Sequence, residues 1–446
     1  MTIPTRIHPK TDLPKMAEDT IFAVSSGAPP AAIAVFRVSG PASGAALEAL
    51  AGSLPVPRRA VLRSLQHPEH GDILDRALIV WFPGPGTATG EDCAELHCHG
   101  GRAVIAAVSA ALATIAGCRA AEAGEFTRRA FANGVLDLAE AEALSDLLAA
   151  ETERQRKQAL DQAGGLLSRQ VTIWQQQLLQ ASAQVEAELD FSDEDDVDPA
   201  SLKRLHTMVS ALQRQVETVL AMPPAERLHD GLRVVIGGPP NAGKSTLLNR
   251  LVQREAAIVT DIAGTTRDII EAPVTLGGMA YIFTDTAGLR GETTDKVETI
   301  GIDRAQHALE RADIILWLGD SKDRPDHPAV IDIAAKADLE DAAEQKPDAD
   351  IMVSAKSGEG MATLIARLTR LAENLLPPQD QPAWNARQRN LLRDLADALE
   401  RAQKTEDMLV IGEELRLARL ALDQITGHSH VEDMLDALFG KFCIGK

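Results

Sequence analysis

The sequence is poor in three features that mark other protein classes. It has no run of about 18 apolar residues, so no membrane-spanning helix is expected. Only four cysteines occur among 446 residues, which suggests a reducing cytoplasm rather than a disulfide framework. Basic residues number 45 against 65 acidic ones, and the net charge of −20 argues against non-specific coating of nucleic acids.

Two short segments are also defined by what they lack. The opening residues, MTIPTRIHPKTDLPKMAEDT, contain no apolar signal core. We expect residues 1–18 to be a flexible extension, and Met16 offers an alternative start. The stretch CAELHCH (residues 93–99) places two cysteines close to two histidines, but a zinc site needs a second ligand pair at a defined spacing and none follows. We therefore predict no metal site there.

The chain changes character along its length. Short apolar runs and turn signals up to residue 133 predict an α+β domain. Helical spacing then begins at Leu136 and continues to about Asp190, where the acidic run FSDEDDVDP interrupts it before another helix over about residues 202–220. Strand–loop–helix alternation follows from Leu232 to about Leu375, and the linker LLPPQDQPAW precedes a return to helix.

The helical pieces before and after the α/β segment are alike, so we infer that an α/β domain is inserted into one helical bundle. The fold class is multidomain: an α+β N-terminal domain, an α-helical bundle and an inserted α/β domain. The predicted boundaries are 1–133 for the first domain, 134–228 with 376–446 for the helical domain, and 229–375 for the insert.

The insert opens with GGPPNAGKSTLLNR, which contains the phosphate loop G-x-x-x-x-G-K-S at residues 238–245. An apolar strand precedes the loop and a helix follows it, which makes a chance match improbable. Backbone N–H groups of such a loop surround the phosphates. We expect Lys244 to reach the β and γ phosphates and Ser245 to ligate Mg²⁺.

Further motifs follow in the order that a GTPase requires: GTTRD with Thr266, DTAG with Asp285 and Gly288, AKAD with Lys336 and Asp338, and SAK with Ser354, Ala355 and Lys356. Thr266 and Asp285 would complete the Mg²⁺ shell. Asp338 can accept both N1–H and N2–H of guanine, whereas adenine would leave the carboxylate unpaired. Ala335 stands where asparagine is usual, and that asparagine mainly connects neighbouring loops. Its absence weakens this connection but leaves Asp338, and therefore the preference for GTP over ATP, in place.

The motifs lack a hydrolytic glutamine or arginine. The residue after Gly288 is Leu289, which can neither orient water nor neutralise charge. Asn241, inside the phosphate loop, could hold a monovalent cation where an arginine finger would lie. Alternatively, Asn241 only supports a turn of the loop, and the residues alone favour neither.

With these motifs in place, the sequence resembles the MnmE (TrmE) family of tRNA-modifying GTPases from about residue 19 to the C-terminus. The matching segments are FRVSG (36–40), FPGPGTATGED (82–92), HGG (99–101), GEFTRRAFANGVLDLAEAEALSDL (124–147), the acidic FSDEDDVD, the GTPase motifs, VETIGI (297–302), EELRLA (413–418) and FCIGK (442–446). The resemblance implies a folate-binding, dimerising N-terminal domain, a helical domain and an inserted G domain.

The resemblance also implies a hydrolytic mechanism. K⁺ would supply the missing charge, held by Asn241, Thr260, Ile262 and Thr265, when two G domains meet face to face. Glu298, aligned through VETIGI, would orient the attacking water. Motifs and resemblance together predict GTP contacts from Asn241, Ala242, Gly243, Lys244, Ser245, Thr246, Thr260, Thr265, Thr266, Asp285, Thr286, Ala287, Gly288, Lys336, Asp338, Ser354, Ala355 and Lys356.

The family acts on the wobble uridine of certain tRNAs. With the flavoprotein partner MnmG (GidA) it installs an aminomethyl or carboxymethylaminomethyl group at C5. The carbon would come from 5,10-methylene- or formyl-tetrahydrofolate and the nitrogen from ammonium or glycine, while FAD and NADH work on the partner. The resemblance implies a cytoplasmic homodimer within a heterotetramer or larger complex. Because this chain is acidic, we expect a basic partner or a composite groove to carry most of the tRNA phosphate contacts.

The implied folate contacts are Arg37, Glu95 and Lys446. An arginine suits the glutamyl carboxylate and a carboxylate suits the pterin N–H edge. Val135 stands where the family often has a lysine, so one charged contact is missing. Cys443 has two interpretations. It acts as a nucleophile or a carbon carrier, if its pKa is lowered, or it belongs to a tail that docks into the folate region for structural reasons.

Two rival functions remain. An Era-like GTPase switch would bind RNA or ribosomes without modifying them, but it needs neither a folate-like domain nor a C-I-G-K terminus. A folate-storage protein with a degenerate G domain is disfavoured because the Lys244, Ser245, Thr266 and Asp285 set is complete. Candidate tRNA contacts are the basic clusters Arg128–Arg129 and Arg154–Arg156–Lys157, although such clusters are usually solvated helix faces.

Overall fold

The computed structural model describes residues 19–190, 199–254, 271–285, 306–339, 346–428, 439–440 and 445. The chain forms two compact units, Met1–Ser145 with Asp423–Lys446, and Asp146–Leu422. The second unit contains both the helical part and the α/β part. The multidomain fold class is confirmed, and the three-domain boundaries remain a prediction.

The first unit is built on a six-stranded sheet. Its strands are β1 (Thr20–Val24), β2 (Ala31–Ser39), β3 (Val61–Gln66), β4 (Ile73–Phe82), β5 (Cys93–Gly100) and β6 (Cys118–Ala120). The strand order is β3-β4-β5-β2-β1-β6, and all neighbours are antiparallel except β1 and β6. The helices of this region are α1 (Ser43–Ala51), α2 (Arg102–Ala113), α3 (Glu125–Ala132) and α4 (Leu138–Ala149), the last of which continues into the second unit.

Strand β5 shows why this sheet has two different faces. Along CAELHCHG, Ala94, Leu96 and Cys98 are buried in the core with α1 and α2, whereas Glu95, His97 and His99 are half-buried or exposed. Alternate residues of a strand point to opposite faces, so the second group shares the other face. The residues of CAELHCH therefore do not converge, since Cys98 lies on the face opposite to the histidines.

The helical part of the second unit packs around tryptophans. Its helices are α5 (Glu153–Ala163), α6 (Leu166–Asp190), α7 (Pro199–Leu220), α8 (Glu226–His229), α11 (Ala386–Gln403) and α12 (Met408–Thr426). Trp174 of α6 stacks on Trp384 with ring centroids 5.5 Å apart, and both side chains are buried. The helices predicted from residue 136 onward are confirmed within the described residues. Helix α7 begins at Pro199 rather than Leu202.

The α/β part has a second six-stranded sheet. Its strands are β7 (Leu232–Gly237), β8 (Glu271–Leu276), β9 (Met279–Asp285), β10 (Ile314–Trp317), β11 (Val330–Ala335) and β12 (Ile351–Val353). The order is β12-β11-β10-β7-β9-β8, parallel except for the antiparallel β8–β9 pair. Helices α9 (Lys244–Arg254) and α10 (Met361–Leu375) pack on it. The apolar strands are buried on both faces, as in other α/β sheets.

Glutamines of α5 hold the two chain segments that lead into and out of the α/β part. The Gln155 amide donates to the carbonyls of Leu228 and His229 at 2.9 and 3.1 Å. On the returning segment, Gln158 donates to the Gln381 carbonyl at 2.9 Å and Gln162 accepts from the Ala383 N–H at 2.7 Å. All three glutamines are buried.

Within the part of the chain that the structure describes, every helix is too short or too polar to cross a membrane.

Candidate functional site

The phosphate loop lies between β7 and α9, as the sequence predicts. Gly238 has φ +141°, and a Cβ there would come within 2.9 Å of the Gly319 nitrogen, so only glycine fits. Gly243 has φ +99°. Asn241 is exposed and has φ +61°, a left-handed conformation that asparagine tolerates better than most residues. The loop is therefore shaped by its glycines and by Asn241.

Lys244 is the first residue of α9, and its side chain is buried. Its ammonium donates to the carbonyls of Gly238 and Pro239 at 2.9 and 2.8 Å. The Lys244 ammonium group thus lies across the loop, hydrogen-bonded to carbonyls of the loop itself. Phosphate oxygens are stronger acceptors for an ammonium than carbonyls are, so a bound triphosphate can recruit this side chain.

Two motifs that are 40 residues apart meet at one point of this site. The Ser245 hydroxyl donates to Oδ2 of Asp285 at 2.5 Å. The contact forms because β7 and β9 are parallel neighbours, with Ile236 opposite Asp285, so their carboxyl ends share one edge. A hydroxyl and a carboxylate oxygen this close suit the oxygen preference of Mg²⁺. The pair fits the predicted Mg²⁺ site.

A cavity of about 270 Å³ adjoins the loop. Its lining comes from the phosphate loop and from the ends of β11 and β12: Gly243, Thr246, Leu247, Ile333, Ala335, Lys336, Asp338, Leu339, Val353, Ala355 and Lys356. The predicted base-contacting residues that the structure describes therefore surround one space. Ser354 is buried just behind it.

Two polar contacts shape this cavity. The Ser354 hydroxyl donates to Oδ1 of Asp338 at 2.7 Å, and this bond holds the pKa of the Asp338 carboxyl below its usual value. Lys336 has φ +62° and donates from Nζ to the Asn241 carbonyl at 3.0 Å. The Lys336 bond ties the cavity to the phosphate loop, although Ala335 lacks the amide that usually helps to do so.

Several predicted site residues lie outside the described residues. They are Thr260, Ile262, Thr265, Thr266, Thr286, Ala287, Gly288, Glu298, Cys443 and Lys446. Their roles remain predictions.

In the first unit, Arg37 and Glu95 are direct cross-strand neighbours on β2 and β5. Arg37 Nη2 lies 3.1 Å from Glu95 Oε1, and its guanidinium lies 5.9 Å from the centre of the Phe126 ring. Nε2 of His97 is 3.3 Å from the other Glu95 oxygen. The sequence predicted Arg37 and Glu95 but not Phe126 and His97; alternation along β5 was the signal for His97.

Of the remaining predicted folate contacts, the structure describes Val135, and it also describes Gly445, the residue before Lys446. A Cβ on Gly90 would come within 3.0 Å of Val135 Cγ2, so Val135 packs over the glycine-rich loop before β5. Gly445 has φ +99° and leaves no room for a Cβ against the Val24 carbonyl, while its own carbonyl accepts from the Ser25 hydroxyl at 2.7 Å. Gly445 therefore docks at the end of β1.

The assignment of Arg129 to a tRNA-contacting or solvated surface is wrong. Its side chain is fully buried, where it pairs with Asp19 at 2.8 Å, with Glu125 at 3.0 Å and with Glu91 at 3.3 Å. Arg119 pairs with Glu125 as well, at 2.6 Å. The i,i+4 spacing of Glu125 and Arg129 on α3 was the available signal for an ion pair.

The basic side chains of the second cluster, Arg154, Arg156 and Lys157, also have polar partners within the chain. The Arg154 guanidinium donates to the Pro377 carbonyl at 2.7 Å. Arg156 and Lys157 are exposed and lie 2.7 and 3.6 Å from the Glu153 carboxylate. The solvated-face interpretation therefore fits Arg156 and Lys157.

The parallel sheet, the phosphate loop, the Ser245–Asp285 pair and the base cavity define a P-loop GTPase. Residues 138–443 match the family model described as MnmE helical domain, and residues 20–135 match that of the GTP-binding protein TrmE N-terminus. The chain belongs to the MnmE (TrmE) family of tRNA modification GTPases.

Curated relatives agree over nearly the full length. The chain is 56% identical to the tRNA modification GTPase MnmE of Rhizorhabdus wittichii, covering 96% of this chain and 97% of the relative. It is 55% identical to the MnmE of Erythrobacter litoralis over 96% of this chain and all of the relative. Among solved structures, Aquifex aeolicus Era is 24% identical over 39% of this chain and 68% of that chain, with a TM-score of 0.24, a similarity too low to inform the fold.

Proposed function

We propose that this chain is a K⁺-activated GTPase whose hydrolysis requires pairing of two G domains. With the flavoprotein MnmG it would install the aminomethyl or carboxymethylaminomethyl group at C5 of wobble uridine in certain tRNAs, using a tetrahydrofolate one-carbon unit, and it would act in the cytoplasm. The observation that carries the proposal is that one chain holds a GTPase site and a second polar site at Arg37 and Glu95. A switch protein that only binds RNA would not need the second site.

The nucleotide site supports GTP as the ligand. Asp338, with one oxygen fixed by Ser354, can accept the guanine N1–H and N2–H with its remaining lone pairs. Ser245 would ligate Mg²⁺ and Asp285 would orient it from the second shell, and the ion would neutralise phosphate charge. Lys244 would exchange its loop carbonyls for phosphate oxygens. These residues bind and orient the nucleotide but provide no group that activates water.

We expect K⁺ at the phosphate loop to supply the missing positive charge, and two features of Asn241 support this. Asn241 is exposed at the loop surface, and its left-handed backbone is pinned by the bond from Lys336 to its carbonyl. Its side-chain amide oxygen is a suitable hard ligand for the ion. Thr260, Ile262 and Thr265 are expected to add ligands, and Glu298 is expected to orient the attacking water.

The contacts of Arg37, Glu95 and Gly445 in the first unit support folate binding there. Arg37 and Glu95 neutralise one another, so a folate could exchange this ion pair for two complementary contacts. Its glutamyl carboxylate would take Arg37, and its pterin N–H edge would take Glu95. Gly445 docks on Val24, next to the strand residue Ala23 that pairs with Arg37. Lys446 would follow directly from that docked residue, which favours the structural reading of the tail around Cys443.

The open face of the same sheet supports a homodimer through the N-terminal domain. Leu62 of β3 pairs with Leu78 of β4, and Leu78 pairs with His97 of β5. Leu62 and Leu78 are 52% and 44% exposed, and Ile33 of β2, opposite His99, is 57% exposed. Exposed apolar side chains on neighbouring strands are typical of an interaction surface. A second copy of the chain packed on this face would lie close to Arg37 and Glu95.

Reconstitution tests the proposal. The purified chain is incubated with MnmG, tRNA, methylene-tetrahydrofolate, glycine or ammonium, FAD, NADH, GTP and K⁺, and tRNA nucleosides are analysed by mass spectrometry. We expect the modified uridine, and we expect it to be lost with Arg37→Ala although GTP hydrolysis continues. GTP hydrolysis without any modified uridine would instead favour the Era-like switch.

A further inference from the structure

The turn between β3 and β4 brings together two histidines and a glutamate. In the part of the chain that the structure describes, His67, Glu69 and His70 form the one group of three metal-ligating side chains whose ligand atoms all lie within 4.8 Å of one another. The two imidazole rings are 3.7 Å apart between centroids and tilted by 45°. This group is separate from the nucleotide site and from Arg37 and Glu95.

The backbone of the turn holds these side chains on a short loop. The His67 N–H donates to the Asp72 carbonyl at 2.9 Å, and the Gly71 N–H donates to the His67 carbonyl at 2.9 Å. Gly71 adopts φ +75°, which lets the chain reverse over so few residues. The ligands therefore come from a closed turn rather than from a free loop, which lowers the entropy cost of bringing them together.

We propose that this turn binds one divalent transition-metal ion, with Zn²⁺ as the expected ion, through His67, Glu69 and His70. Zinc bonds to imidazole nitrogen and carboxylate oxygen are about 2.0–2.2 Å long, so tetrahedral ligand atoms stand roughly 3.3 Å apart. The ligand atoms now lie within 4.8 Å of one another, so side-chain rotations would bring them to that separation. Glu69 and His70 are exposed and His67 is half-buried, so these rotations meet little packing resistance.

The donor set selects the class of ion. Two imidazoles and one carboxylate suit Zn²⁺, Cu²⁺, Ni²⁺ or Co²⁺, whereas Mg²⁺ and Ca²⁺ prefer oxygen ligands alone. The His67 Nδ1 accepts a 3.3 Å hydrogen bond from the Glu69 N–H, a long contact that a metal bond can replace. Asp72, with a carboxylate oxygen 3.9 Å from His70 Nδ1, is available as a fourth ligand, and water is the alternative.

The pair formed by His99 and Asp75 is the main competitor for the ion. His99 Nδ1 lies 2.7 Å from Asp75 Oδ1, but that pair offers one imidazole and a carboxylate that already accepts two further backbone N–H groups. Cys98 adds no third ligand to that pair, because it lies on the core face of the sheet, opposite to His99, where burial raises the pKa of its thiol to about 12. The turn has the better ligand set.

The test uses the untagged full-length chain, stripped of metal and kept in excess Mg²⁺ so that the Ser245–Asp285 site is occupied by that ion. Zn²⁺ is titrated by calorimetry, and Co²⁺ is titrated in parallel because its visible bands report four-coordinate nitrogen and oxygen ligation. His67→Ala, His70→Ala and their double variant are compared with His99→Ala. His307→Ala is the matched control, since His307 is an exposed histidine 3.4 Å from Glu310.

We expect one Zn²⁺ per chain at micromolar concentration and at least tenfold weaker binding in His67→Ala and His70→Ala. His99→Ala and His307→Ala should bind as the wild type does. Zn²⁺ should raise the melting temperature of the wild type but not that of the double variant, whose metal-free melting temperature should be unchanged. Unaltered Zn²⁺ affinity in the double variant, or no Zn²⁺ binding by the wild type at micromolar concentration, would overturn the proposal.

Discussion

The hydroxyl of Ser354 donates to Oδ1 of Asp338 at 2.7 Å. The two residues follow neighbouring parallel strands, β12 and β11, whose ends are in register through Ala335 and Val353. The bond fixes one carboxylate oxygen at the edge of the base cavity and favours the ionised form. The orientation of the base-reading carboxylate is thus set by a residue 16 positions further along the chain.

Asp338→Asn should lower GTP affinity by at least about 100-fold and improve binding of xanthosine triphosphate. The asparagine amide can meet a base carbonyl, whereas it cannot accept two guanine N–H groups. Ser354→Ala is the milder control, because it removes only the hydrogen bond that orients Asp338, for which we expect roughly fivefold weaker GTP binding. Competition against a fluorescent guanine nucleotide measures both, and unchanged GTP affinity in Asp338→Asn would show that the base is read elsewhere.

The buried ion pairs of α3 predict a pH-dependent stability of the first unit. Burial raises the pKa of Glu125, but hydrogen bonds from Arg119, the Glu122 N–H and Arg129 outweigh this effect and leave the pKa below 4.5. A lowered carboxyl pKa stabilises the fold above the unfolded-state pKa, and that stabilisation is lost as pH falls through the folded-state pKa. The relevant range therefore lies below pH 4.5.

Glu125→Gln should lower the free energy of unfolding by about 1–3 kcal/mol near neutral pH, because Arg129 loses a buried partner. The difference from wild type should shrink as pH falls below 4.5. Urea denaturation measures the free energy of unfolding, and hydrogen exchange of the N-terminal sheet reports the stability of the first unit separately. Glu48→Gln, at an exposed position of α1, is the control and should be neutral throughout. A difference that persists undiminished in acid would contradict the ion-pair account.

Gln155→Ala should loosen the connection between α5 and the segment entering the α/β part. The Gln155 oxygen accepts from Glu151 and Thr152, and its amide donates to Leu228 and His229. Loss of these bonds leaves buried groups unpaired, for which we expect about 2–4 kcal/mol of destabilisation. Hydrogen exchange over residues 228–230 should increase.

Lys157→Ala is the control on the same helix, because Lys157 is exposed. It should leave both stability and exchange as in the wild type. Equal behaviour of the two variants would show that Gln155 does not hold the joint.

Val135→Lys should strengthen binding of 5-formyl-tetrahydrofolate if the folate proposal is correct. Val135 packs over Gly90, and a lysine there could add a charge-assisted bond to a glutamyl carboxylate, for which we expect about tenfold tighter binding. Val135→Leu keeps the packing and adds no charge, so its affinity should stay unchanged. Calorimetry measures both, and equal affinities for the two variants would remove Val135 from the pocket.

Local signals predicted much of the G domain. The phosphate loop, the strand before it and the helix after it are contiguous in sequence. The motif spacing and the glycine positions were therefore sufficient to predict all three. The meeting of Ser245 with Asp285 also followed, because parallel strands end at one edge. Thr266 and Glu298 lie outside the described residues, so their roles remain predictions.

Long-range contacts were not predictable in the same way. Arg129 occupies a position whose neighbours are equally compatible with a surface helix, and only the fold brings Asp19 and Glu91 to it. Gln155 and Gln162 have polar side chains that suggest solvent, yet both satisfy backbone groups more than 70 residues away. Burial of a polar residue depends on partners that are distant in sequence.

The most direct test of the central claim is GTP hydrolysis in KCl and in NaCl at equal ionic strength, with Asn241→Ala and Asn249→Ala compared. Asn249 is an exposed asparagine on α9, outside the phosphate loop, and serves as the matched control. The account predicts fast turnover in K⁺ only, lost in Asn241→Ala and kept in Asn249→Ala. Equal rates in the two salts would contradict the cation mechanism and would point to a positive charge supplied by another chain.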